Sequence, residues 1–153
     1  MNVASQLAGL ILFVTASVAA GDAAASGLDL HTTPEFIQRA EVALADGNME
    51  RVVGLIAPRV DRVRTEYARN RAYAALCNAH LRQKDYESAE EACTLAAANR
   101  YATWSDFNNL GAYHFLTGDY DAARDLFEKA AALAPGEQAV NLNIETTLAA
   151  AGR

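Results

Sequence analysis

The residues from Trp104 to Pro135, WSDFNNLGAYHFLTGDYDAARDLFEKAAALAP, lie in register over those from Asn70 to Tyr101, NRAYAALCNAHLRQKDYESAEEACTLAAANRY, at an offset of 34 with no gap. Leu76 falls on Leu110, Cys77 on Gly111, His80 on His114 and Asp85-Tyr86 on Asp119-Tyr120. Ala89 falls on Ala123, Cys93 on Phe127 and Ala96 on Ala130. A second step of 34 brings Ile144 under Leu110, Leu148 under His114 and Gly152 under Gly118, and this last unit is cut off after one helix. A fixed period of this length marks stacked supersecondary units, each unable to bury its apolar face alone.

Within a unit the pattern is helical. Phe107, Leu110, Gly111 and His114 recur at i, i+3, i+4, i+7; Tyr120, Ala123, Phe127 and Ala130 recur at i, i+3, i+7, i+10. Both patterns put one apolar face on a helix. Lys84-Asp85 and Gly118-Asp119 mark the turns between paired helices, and Pro135-Gly136 ends the second helix. Gly111 and Ala123 allow close approach, and Phe127 fills the groove that they leave.

Upstream, PEFIQRAEVALADGNMERVVGLIAP reads as a degenerate first hairpin. Phe36, Ala40 and Ala43 form its first face, Gly47-Asn48 the turn, and Met49, Val52 and Ile56 the second face. Thr33-Pro34-Glu35 is its start, with Thr33 as cap and Pro34 at the first helical position. Pro58 ends it early, and an insertion follows over 59–65. Gln138–Ala151 reads as a capping helix with Asn141, Asn143, Glu145 and Thr146 on its exposed side.

The spacing and identity of Leu110-Gly111, Gly118-Asp119-Tyr120, Ala123, Phe127, Ala130 and Pro135 resemble the tetratricopeptide repeat family. The unit from Asn70 matches less fully, with Cys77 in the first glycine slot, Lys84 in the turn glycine slot and Tyr101 in the proline slot. The resemblance implies an all-α fold: a right-handed α-solenoid of about three hairpins and a C-terminal capping helix. The chain as a whole divides into 1–20, a signal peptide or uncleaved anchor by its composition; 21–32, a flexible leader; and 33–64, the degenerate hairpin and insertion. The divisions continue with 65–101, the unit carrying both cysteines; 102–137, the well-matched unit; and 138–153, the cap.

The resemblance also implies a function. The first helix of each unit lines a concave groove that holds a partner peptide. The matching positions include Arg71, Ala74, Ala75, Asn78, Leu81 and Arg82 in one unit. In the next they are Ser105, Asn108, Asn109, Ala112, Phe115 and Leu116. Asn78 and Asn109 occupy slots from which amides grip a ligand main chain, since a carboxamide both donates and accepts. Phe115, Leu116 and Leu81 supply an apolar floor. Ala74 and Asn108 stand where a carboxylate-clamping lysine would be, so recognition of a C-terminal carboxylate would fall to Arg71 or Arg82.

Cys77 and Cys93 fall in two slots of this repeat that face one inter-helix groove, and the resemblance places them within reach of a disulfide. A zinc site with His80 and His114, a redox pair and two free thiols are the alternatives. No C-x₂-C or H-x₃-H spacing supports zinc, and no C-x-x-C motif supports redox chemistry. The expected cofactor and metal content is none.

Composition bounds the rest. The 153 residues are 52% hydrophobic and 21% charged, with 9 glycines and 3 prolines, which suits one helical domain. A net charge of −6 gives no reason to expect nucleic acid. Met1–Gly21 carries no charged side chain, and LAGLILFVTASVAA from Leu7 to Ala20 is followed by small residues. That reads as an export signal leaving at Ala20/Gly21 or near Ala25, although the first basic residue is only Arg39. The expected location is therefore periplasmic or secreted, with membrane contact only if the segment stays uncleaved.

No catalytic serine elbow, H-E-x-x-H or phosphate-binding glycine loop is present, so no catalytic residue is assigned. Arg59, Arg62, Arg64, Arg69 and Arg71 form the one dense basic stretch, read as a solvated surface with local ion pairs or as an anion contact. The expected role is non-catalytic binding of a protein or peptide partner. Other readings are a small thiol-redox or metal-handling protein using Cys77 and Cys93, and an anchored envelope assembly factor. The sequence assigns no oligomeric state.

Overall fold

The computed structural model describes residues 32–152. The expected signal segment and nearly all of the leader lie outside these residues. The described chain is all-helical: α1 (Glu35–Ala45), α2 (Met49–Ile56), a 3₁₀ turn (Val60–Arg62), α3 (Glu66–Gln83), α4 (Tyr86–Ala97), α5 (Trp104–Thr117), α6 (Tyr120–Leu133) and α7 (Gln138–Ala150). Helices adjacent in sequence pack on each other throughout, and the hairpin pairs α3/α4 and α5/α6 pack most extensively. The first helices α1, α3, α5 and α7 also touch one another in succession, whereas the second helices do not do so to a comparable extent. The first helices therefore form one continuous layer of a helical solenoid. None of the described helices is long and apolar enough to cross a membrane.

The three hairpin turns are built alike. A residue at positive φ (Gly47, Lys84, Gly118) precedes an Asx residue (Asn48, Asp85, Asp119) that caps the second helix. Each cap accepts a backbone N–H three residues on, from Arg51 at 3.1 Å, Ser88 at 3.3 Å and Ala122 at 3.1 Å. Its own N–H closes the preceding helix onto Ala43, His80 or His114. That six-residue closure satisfies carbonyls the helix end would otherwise leave unpaired. Lys84, at φ 61°, is the one non-glycine residue with positive φ among the described residues. A Cβ in that conformation costs about 1–2 kcal/mol, partly offset by the extra chain entropy that glycine would lose on folding. Lys84→Gly is therefore expected to raise unfolding free energy by about 0.5–1 kcal/mol in urea denaturation.

The core follows the repeat. Phe127 is wholly buried against Gly111, and a Cβ on that glycine would stand 2.7 Å from the ring. In the preceding unit the same two slots hold Cys77 and Cys93, joined as a disulfide with Cα atoms 4.7 Å apart.

Three local expectations are corrected. Pro34, and not Thr33, is the N-cap of α1, and no side chain caps it; Thr33 instead accepts from Gln38 Nε2 through its carbonyl at 2.7 Å. Ile37 is the fully buried anchor of α1, while Phe36 is only partly covered. On α7, Asn143 and Thr146 face inward and Leu142 and Leu148 are exposed. Asn143 turns inward because its carboxamide reaches Asn108 on the neighbouring first helix.

Candidate partner-binding face

Polar side chains tie the first helices to one another. Arg71 on α3 reaches Glu41 on α1, with Nε donating to Oε1 at 2.6 Å, and its Nη1 donates to the Tyr67 hydroxyl at 3.0 Å. Burial works against this guanidinium's charge, but the bonds to Glu41 and Tyr67 outweigh it and hold the pKa above its usual value. Between α5 and α7, Asn143 Nδ2 donates to Asn108 Oδ1 at 2.9 Å, and both residues are wholly buried.

Asp106 links α5 to α3 and is itself buried. Its Oδ2 accepts from the Thr103 N–H at 2.7 Å and the Thr103 hydroxyl at 3.0 Å, and Asn70 Nδ2 approaches to 3.5 Å. Asn70 also donates to the carbonyl of Ala96 at 3.1 Å, drawing in α4. Burial pushes the Asp106 carboxyl above its ordinary value, against the lowering effect of the Thr103 bonds. The unfolded chain therefore ionises first, and the native state holds the extra proton between the ordinary and the raised value. The stability that Asp106 contributes is greatest below the ordinary carboxylate range and falls as pH rises through the raised value. Asp106→Asn keeps an acceptor for Thr103 and cannot ionise. Its stability relative to the parent is expected to improve from about pH 3 to about pH 7 in parallel urea titrations; a pH-independent difference would contradict the assignment.

The expected groove residues divide into distinct environments. Leu81, Asn78, Ser105, Ala112 and Phe115 are buried, with the Phe115 ring 5.4 Å from that of Tyr120. Asn108 is engaged with Asn143, and Arg71 with Glu41. Leu116 is half-buried and Arg82 exposed. Asn109 is 3% exposed, and its Oδ1 has no hydrogen-bond partner among the described residues. An amide oxygen buried without a donor costs about 1–3 kcal/mol, so it is a place where an incoming N–H gains most.

The disulfide is also closed off, with Cys77 1% and Cys93 0% exposed. Both sulfurs are used in the bond, which removes the thiolate ligands that the metal-site reading needs, and their burial leaves no access for an exchanging thiol. His80 Nδ1 lies 3.2 Å from Asp85 Oδ2 and His114 Nδ1 lies 3.7 Å from Asp119 Oδ2. His80 Nδ1 is buried without an aligned hydrogen bond among the described residues, so its approach to Asp85 is an electrostatic contact at the turn. Each histidine thus sits beside the cap of its own hairpin.

Sequence reasoning gave no role to Asp106, Asn70 or Glu41 and placed Asn143 on the exposed side of α7. The Thr103-x-x-Asp106 spacing is a readable helix-start signature. The other three partners are 26 to 36 positions away, beyond any local pattern.

Residues 105–137 match the family model for the tetratricopeptide repeat. No curated protein matches the chain.

Proposed function

We propose, from the match of residues 105–137 to the tetratricopeptide-repeat family model and from the stacked helical hairpins around them, that the layer of first helices holds an extended segment of a partner protein, without catalysis. The observation that carries this reading is the buried carboxamide oxygen of Asn109 on α5, which has no partner among the described residues. A main-chain N–H of a segment laid along α3 and α5 would satisfy it after a small shift of the lining side chains. Half-buried Leu116 offers an apolar contact at the same layer, and exposed Arg82 a charged one. Asn78 is a second candidate grip.

The proposed setting is an oxidising, exported one. Its supports are the Cys77–Cys93 bond and the apolar segment Leu7–Ala20 with its small-residue exit.

Site-specific photo-crosslinking in native cells tests the reading. A crosslinker at Leu116 or Arg82 is expected to capture a discrete partner, and one at Leu95 or Glu128 on second helices is not. Equal capture from both sets of positions would overturn the assignment of the face.

A further inference from the structure

Between the first turn of α1 and the linker leading into α3 lies a cavity of about 400 Å³. Its lining includes the apolar Pro34 and Phe36 and the basic Arg59, Arg62 and Arg64. Among the described residues no acidic side chain lines the cavity, although the chain as a whole has a net charge of −6. Glu35 and Glu66 have partners of their own. Glu35 faces Arg39 at 3.8 Å, and Glu66 is held by Arg69 at 2.6 Å and by Asn99 at 3.2 Å.

Arg59 is fixed in place. Its Nη1 donates to the Leu55 carbonyl at 2.9 Å, and its guanidinium lies 5.9 Å from the centre of the Phe36 ring. Arg62 and Arg64 are exposed and form no ion pair with a carboxylate among the described residues. Two arginines without a carboxylate partner among the described residues, and a third held against an aromatic ring, therefore line one concavity together with Pro34 and Phe36.

We propose that this cavity binds a phosphate monoester carried on an apolar or aromatic body. A single carboxylate brings one negative charge, whereas a phosphate monoester brings about −1.5 to −2 and three acceptor oxygens, a closer match to three arginines. Phe36 and Pro34 receive the organic body. The volume lies within the roughly 300–1,000 Å³ range of small-molecule sites. The cavity does not include the proposed partner face, so either assignment stands without the other.

The test uses phenyl phosphate titrated into the full chain by calorimetry, with amide NMR shifts to locate it. One-to-one binding is expected, with shifts centred on Phe36 and 59–65. Arg62→Gln/Arg64→Gln is expected to weaken binding by at least about tenfold while its circular dichroism and Tm stay those of the parent. Benzoate and inorganic phosphate, lacking the charge and the body respectively, should each bind several-fold more weakly than phenyl phosphate. Cosedimentation with phosphatidic acid vesicles that the double variant loses would place the monoester on a lipid headgroup; its absence alongside phenyl phosphate binding would place it on a soluble molecule. No heat or shifts at millimolar phenyl phosphate, unchanged affinity in the double variant, or equal binding of benzoate would each overturn the proposal.

Discussion

Phe127→Ala is expected to lower unfolding free energy by about 3–5 kcal/mol, the largest effect of any single substitution considered for this chain. Phe127 is the bulkiest wholly buried side chain among the described residues, and its ring lies against Gly111. Removing the ring takes away its transfer free energy and leaves a cavity that α5 and α6 cannot close, because their approach is already set by the glycine contact. The reciprocal change tests the same fit. In an open helix Gly→Ala gains about 1 kcal/mol from propensity. At Gly111 the new methyl would stand 2.7 Å from one ring carbon and 2.8 Å from the next. The ring has no flexible end to withdraw, so Gly111→Ala is expected to destabilise by about 1–3 kcal/mol. Combining it with Phe127→Leu should cost less than the sum of the two single changes, since both act on one contact. Strict additivity in urea denaturation would show that the contact is not what holds the hairpin.

Reduction of the Cys77–Cys93 bond is expected to cost about 3 kcal/mol through the chain entropy returned to the unfolded state by opening a loop of this size. For a chain of this length that corresponds to a fall in Tm on the order of 10 °C. The bond joins the slots that Gly111 and Phe127 fill in the next unit, so it stands where that unit has a wholly buried ring. Burial of both sulfurs also makes reduction slow while the protein stays folded. The measurement is therefore a comparison of Tm after refolding with and without reductant, with Cys77→Ala/Cys93→Val as a control that reductant should not affect. An unchanged Tm after verified reduction would contradict the role assigned to the bond.

The repeat was legible in the sequence because its signals are local and periodic. Gly118-Asp119-Tyr120 and Lys84-Asp85-Tyr86 state the turn and its cap within three residues, and Phe127 states the packing slot. The end elements were less legible. Phe36 and Ile37 are adjacent apolar residues, and periodicity alone does not say which one the rest of α1 turns inward. On α7 the polar side chains of Asn143 and Thr146 read as solvent-facing until Asn108, 35 positions away, supplies a partner for Asn143. The candidate face has the same limit. Family slots point to Arg71, Asn108 and Asn109 alike, but only the packed structure separates the two that bind neighbouring helices, Arg71 and Asn108, from the one whose carboxamide oxygen has no partner among the described residues.

That separation gives the most direct test of the partner-binding face. Affinity for the crosslinked partner and Tm are measured together for Asn109→Ala. The expected result is binding weaker by about tenfold or more with Tm equal to or above that of the parent, because the substitution removes a buried unpaired oxygen from the free protein and a grip from the complex. Unchanged affinity, or a loss of binding that only tracks a loss of stability, would contradict the assignment of this face to partner recognition.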